Sequence, residues 1–126
     1  MKHIINTENA PAPIGPYNQA VKCGHLLYTS GQNPIDPKTG DMVSGGVREQ
    51  SIQVFENLKS VLEEAGCTFD DVIKTTVFLQ DMTDFPVLNT VYAEFFGEET
   101  APARSTVQVA SLPKGSLVEI ELVANV

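Results

Sequence analysis

Residues 47–66 read VREQSIQVFENLKSVLEEAG, and this stretch decides the fold. Val47, Ser51, Val54, Phe55, Leu58, Val61, Leu62 and Ala65 recur at intervals of three and four, the spacing that places side chains on one face of an α-helix. Arg48, Glu49, Gln53, Glu56, Lys59, Glu63 and Glu64 fall on the other face, and Gly66 stands where a left-handed C-terminal cap belongs. Arg48 therefore reads as a solvated side chain with Glu49 and Gln50 for neighbours. A helix with one apolar face needs a second layer to bury it.

The flanking sequence supplies that layer, with a shorter period. Strand candidates lie at about 2–6, 17–22 and 26–30, the last two joined by a turn at Cys23-Gly24-His25. Between the first two, the prolines of Asn9-Ala10-Pro11-Ala12-Pro13-Ile14-Gly15-Pro16 deny helix, and a second loop runs from Gly31 to Gly46. Beyond Gly66, residues 72–80 form a strand rich in Thr, Val and Ile. A second helix begins near Thr83-Asp84, either of which can cap it, with Pro86 in its first turn. Phe85, Leu88, Tyr92, Phe95 and Phe96 line one of its faces as far as Gly97. Two final strands, about 104–110 and 117–124, are joined by Ser111-Leu112-Pro113-Lys114-Gly115-Ser116. The order strand, strand, strand, helix, strand, helix, strand, strand predicts one α+β domain over residues 1–126, with both helices on one face of a mixed sheet.

The other face then lacks a cover. Val107, Val109, Val118, Ile120 and Leu122 form one alternating set suited to the helices. Arg104, Thr106, Gln108, Leu117, Glu119, Glu121 and Val123 form the opposite set, in which charges mix with apolar side chains. Such a face is expected to meet another subunit and to carry a site.

Composition excludes several classes of function. The net charge is -8, and the lysines at 2, 22, 38, 59, 74 and 114 are dispersed. A surface of that kind repels phosphate backbones and anionic lipid. No stretch is long and apolar enough to span a bilayer, and the N-terminus lacks the pattern of a signal peptide, so a cytoplasmic location is expected. There, Cys23 and Cys67 read as free thiols. His3 and His25 lie apart and no Cys or His stands at ligand spacing, so no metal site is expected. Phosphate-loop, dinucleotide and nucleophile-elbow patterns are absent, leaving Gly45-Gly46 as a flexible loop end or a weak anion site at a helix start.

Arg104 stands out, because it opens a strand in a chain with only one other arginine, Arg48. Its planar fork suits a carboxylate held by two parallel hydrogen bonds. A structural ion pair with Glu119, Glu121 or a partner subunit is the equal alternative. Were the last two strands a symmetric hairpin, a glutamate could lie near the arginine and hold a water.

Five segments together carry a resemblance: Ile14-Gly15-Pro16-Tyr17, Tyr28-Thr29-Ser30-Gly31-Gln32, Lys74-Thr75-Thr76-Val77-Phe78, Pro102-Ala103-Arg104-Ser105 and Val118-Glu119-Ile120-Glu121. In order and spacing the chain resembles the YjgF/RidA family of enamine/imine deaminases along its whole length. The resemblance implies a chorismate-mutase-like subunit, a homotrimer, and sites in the clefts between subunits. It also implies hydrolysis of 2-iminobutanoate and 2-iminopropanoate, released by PLP-dependent dehydratases, to 2-oxo acids and ammonia. The family's carboxylate-binding arginine falls on Arg104 and its water-positioning glutamate on Glu119. Pocket positions fall on Tyr17, Ser30, Gly31 and Asn89. Many members carry cysteine two residues after the arginine, and Thr106 stands there, which removes any thiol chemistry but leaves a backbone N–H to bind substrate.

The expected mechanism needs no cofactor, since an imine is already electrophilic and positioning plus one proton-handling carboxylate suffice. Tyr17 and Ser30 would shape the pocket. Two rivals remain: a regulatory protein that binds 2-oxo acids without turnover, and an RNA-directed activity, which the acidic surface disfavours.

Overall fold

A computed structural model describes residues 1–126. The chain folds as β1 (Lys2–Ile5), β2 (Ala20–Cys23), β3 (Leu26–Thr29), α1 (Val47–Glu64), β4 (Val72–Leu79), α2 (Phe85–Phe95), β5 (Ala103–Gln108) and β6 (Val118–Asn125). One sheet in the order β1-β2-β3-β6-β4-β5 contains all the strands, and only the β4–β5 pair is parallel. Both helices cover the same face, which makes the two-layer α+β arrangement expected from the pattern.

The core lies between that face and the helices. Val54, Phe55, Leu58, Val61 and Leu62 of α1 are wholly buried against Leu27, Val77, Leu79, Val118, Ile120 and Ala124 of the sheet. Phe55 is its hub, stacked on Phe95 with ring centres 4.8 Å apart and edge-on to Tyr92 at 5.7 Å. Removing such a ring to alanine costs about 3–5 kcal/mol. In β4 a bulge between Val72 and Lys74 adds a residue, so Val72, Thr75, Val77 and Leu79 all face inward while Ile73 stays out. Gly66 takes φ +82, the left-handed conformation expected of the residue that ends α1.

Several local expectations change. The strand expected from Tyr17 starts only at Ala20, because Asn18 and Gln19 are engaged with the first loop: Asn18 Oδ1 accepts from Asn6, and the Gln19 N–H donates to Asn6 Oδ1. Neither Thr83 nor Asp84 caps with its side chain. A short 3₁₀ turn, Met82–Asp84, precedes α2, and Asp81 caps that turn by accepting from the Thr83 N–H at 2.9 Å. Arg48 reaches across to α2 and pairs with Glu94 at 3.0 Å, while its neighbour Gln50 is buried.

The largest correction concerns the faces of β5. The two final strands do not form a hairpin, because β4 lies between them. Directly paired residues share a face of a sheet. Arg104 pairs with Thr75 and Thr106 with Val77, and these in turn face Leu122 and Ile120. Arg104, Thr106 and Gln108 therefore lie on the helix face, and Val107, 41% exposed, lies on the open one. The β6 assignment stands: Val118, Ile120 and Leu122 point to the helices, and Glu119, Glu121 and Val123 away from them.

Candidate functional site

One group of predicted site residues gathers where the chain leaves β3. After Thr29 it continues beside β6, and Gln32 exchanges backbone hydrogen bonds with Ile120 at 2.8 and 3.2 Å. This brings Gly31 against the Glu119 side chain; a Cβ on Gly31 would sit 2.8 Å from the Glu119 carboxyl carbon. Any larger residue there would push the Glu119 carboxylate out of its place. Burial pushes the Glu119 carboxyl above the ordinary carboxylate range, a side-chain hydrogen bond with Asn33 pulls it back, and the charge of Glu121 adds to the rise.

The surrounding loop is held by buried amides. Gln19 Nε2 lies within hydrogen-bond distance of the carbonyls of Thr7, Ala10 and Pro11, at 3.0, 3.2 and 2.8 Å. Asn57 of α1 donates to the carbonyls of Asn33 and Ile35, and Ser116 Oγ donates to Asn33 Oδ1. Gln50 accepts from the Leu117 N–H at 2.8 Å, which fixes the start of β6. Ser30 donates its hydroxyl to the Asn18 carbonyl at 2.6 Å, so it braces the wall rather than presenting a free proton. Tyr17, about half exposed, lines a cleft of about 290 Å³ together with Ile14, Gly31, Gln32, Asn33 and Lys114.

A second group gathers under α2. The Arg104 guanidinium carbon lies 4.6 Å from the centre of the Tyr92 ring and 5.3 Å from that of Phe85. Both rings sit on the helix face that also carries Asn89, four residues after Phe85 and three before Tyr92. Thr106, two residues along β5, has a buried hydroxyl with no hydrogen-bond partner. The chain's one salt bridge joins Arg48 to Glu94, so Arg104 has no acidic partner inside the protomer. The structural ion pairs with Glu119 and Glu121 within one chain are thereby excluded.

The two groups do not meet. Glu119 projects from the open face of β6 and Arg104 from the helix face of β5, with β4 between the strands. Two strand spacings across the sheet and three residues along it, from Phe78 to Thr75 of β4, separate them by about 14 Å in the sheet plane, and their side chains leave it on opposite sides. At the α1 start, the Glu49 carboxylate accepts from the Gly46 N–H at 2.8 Å, so this end of the helix already holds an anion of its own. Sequence reading missed Asn33, Asn57 and Gln50, whose work depends on contacts between distant segments. Phe85 and Tyr92 were legible as members of an apolar helix face, but nothing local placed an arginine against them.

Comparison with known proteins bears on these residues. The endoribonuclease L-PSP family profile matches residues 7–126. A RutC family protein of Pyrococcus horikoshii is 57% identical over 124 residues, 98% of each chain. The mouse 2-iminobutanoate/2-iminopropanoate deaminase is 48% identical over 124 residues, 98% of this chain and 91% of that one. Among solved structures, a Rid family protein of unknown function from Yersinia pestis superimposes over the whole of both chains with a TM-score of 0.97 at 48% identity.

Proposed function

This chain belongs to the endoribonuclease L-PSP family, whose relatives include Rid proteins and imine deaminases, and on that premise we propose that it hydrolyses 2-imino acids to 2-oxo acids and ammonia. The substrates are 2-iminobutanoate and 2-iminopropanoate, released in the cytoplasm by PLP-dependent dehydratases. The observation that carries the reading is the unpaired Arg104, held half-buried with its fork free of any acidic partner in its own chain.

Arg104 binds the substrate carboxylate by two parallel hydrogen bonds. Because Glu119 cannot reach it within one protomer, the site forms between copies, Arg104, Thr106 and Asn89 coming from one and Tyr17, Ser30, Gly31 and Glu119 from the next. A homotrimer closed around the open sheet face supplies such junctions. That face carries a row of apolar side chains, Ile4, Val21, Tyr28 and Val123, aligned across four strands. Ile4 and Tyr28 are 47% and 51% exposed, more than an isolated small protein is expected to leave open.

Water held by Glu119 attacks the imine carbon, and the carboxylate takes its proton. The C=N π bond breaks toward nitrogen, giving a carbinolamine. Glu119 returns the proton to that nitrogen, then takes the hydroxyl proton and delivers it to the same nitrogen as the carbonyl forms and the C–N bond breaks, so one water yields one 2-oxo acid and one ammonia. Backbone N–H groups near Gly31 and Thr106 orient the substrate.

The deciding experiment is a dehydratase releasing the imine with and without this protein. Faster ammonia release supports the deaminase. Binding of 2-oxobutanoate without acceleration would mean a sensor instead. The family description favours one further reading, an RNA-directed activity. Against it stands the net charge of -8, and RNA binding that weakens with salt would restore it.

A further inference from the structure

We propose that Phe85 and Tyr92 are positioning residues that form an aromatic clamp on Arg104, setting the direction of its guanidinium before any ligand arrives. The inference rests on the carboxylate-binding role given to Arg104 above, and it adds how that role is prepared. Arg104 is half-buried and has no acidic partner in its chain, so salt bridges cannot fix its long side chain. Instead the guanidinium lies over two rings, at 4.6 Å from Tyr92 and 5.3 Å from Phe85. Both distances fall within the range of cation–π attraction, and a planar guanidinium stacks on such faces where an ammonium does not.

The clamp is itself rigid. Tyr92 is 6% exposed, packs on Phe96 with ring centres 4.7 Å apart, and shares a hydrogen bond of 2.7 Å with the Thr75 hydroxyl. Thr75 is the residue paired with Arg104 across the parallel β4–β5 ladder. The strand neighbour of the arginine thus holds the ring that holds the arginine. Burial raises the Tyr92 phenol, the Thr75 hydrogen bond and the Arg104 charge both opposing the rise, so the hydroxyl stays protonated and its contact with the guanidinium is that of a cation over a neutral ring. Phe85 and Tyr92 lie seven residues apart, two helical turns, on one face of α2, so one straight helix aligns both rings. A side chain fixed this way surrenders less rotamer entropy when a carboxylate binds.

The test combines nuclear magnetic resonance of the Arg104 side chain with kinetics. In the ligand-free protein the Arg104 Nε–H should be a single, ring-shifted resonance with backbone-like order, and Phe85→Leu should reduce that shift and increase its motion, the Tyr92 ring accounting for the remainder. In the imine assay Phe85→Leu should lower kcat/KM about 5- to 30-fold, mainly by raising KM. Tyr92→Phe keeps the ring and loses only the Thr75 hydrogen bond that braces it, so it should raise KM less than Phe85→Leu does, and an equal or larger rise would speak against the rings. A lesion of folding alone would lower kcat by lowering the active fraction, with KM unchanged. Mobile, unshifted Arg104 resonances in the wild type would overturn the clamp, as would a Phe85→Leu variant with unaltered KM. Should the wild type show no imine hydrolysis, the functional reading falls while the resonance experiment still decides the clamp.

Discussion

Arg104 and Glu119 leave the sheet on opposite faces, two strands apart, although both belong to neighbouring strands in the sequence. The parallel pairing of β5 with β4 produces this, since it places Arg104 level with Thr75 beneath α2. A site that uses both residues has to take them from different chains.

Mixing two inactive variants tests that consequence directly. Arg104→Lys and Glu119→Gln chains, each deficient alone, should regain activity when unfolded and refolded together. Random trimers would contain intact junctions at about a quarter of all sites, because each mixed trimer closes one of its three. Light scattering should give three times the 13.6 kDa of one chain. A monomeric mass, or no recovery on mixing, sinks the shared site.

Arg104→Lys on its own keeps the charge and loses the bidentate fork. Loss of such a contact should cost about 2–4 kcal/mol, roughly 30- to 800-fold in kcat/KM. The oligomer and the melting temperature should barely change. If the lysine variant retains most of its imine hydrolysis, the arginine does not clamp a carboxylate.

Gly31→Ala offers a test at the other half of the site. The backbone of Gly31 is of a kind alanine can adopt, but the added methyl would meet the Glu119 carboxylate. That carboxylate can swing aside at small energetic expense, so the melting temperature should move by only a few degrees, about 1 kcal/mol. Ammonia release should nonetheless fall by roughly tenfold or more, since the proton-handling group is displaced. Full activity would show that the carboxylate does not act from this position.

The pH profile follows from Glu119. Its folded pKa is raised from 4.5, chiefly by burial. The ionised form needed to take a proton from water is therefore lost at a higher pH than for a free glutamate, and kcat/KM should decline on an acid limb centred above 4.5. Stability carries the opposite sign. A raised pKa favours the protonated folded state, a contribution fully present below the unfolded value and lost as pH rises through the folded one. Glu119→Gln should consequently gain stability relative to wild type near neutrality and lose that advantage in acid. An acid limb that persists unchanged in the residual activity of Glu119→Gln would assign it to another group.

Much of the molecule is written in local pattern. The recurrence of Val54, Phe55, Leu58, Val61 and Leu62 is enough to make α1 and its buried stripe, and Gly66 to end it, because a helix face is set by spacing within one segment. The alternation of Val118, Ile120 and Leu122 against Glu119 and Glu121 likewise sorts β6 into an inner and an outer side. Arg104 and Glu119 can be picked out as candidates from residue type and the company they keep. Alternation within β5 also yields two sets, Arg104 with Thr106 and Ser105 with Val107, but it does not say which set faces inward. That phase depends on which strand pairs with which, and the insertion of β4 between β5 and β6 is a long-range choice made by packing. Apolar Val107 draws the wrong assignment, because in the single chain it lies on the open face and is 41% exposed, against the rule that apolar residues turn inward. Tertiary structure alone put the guanidinium of Arg104 between two rings of α2 and turned Glu119 away from it, since strand register relates residues that no stretch of sequence holds together.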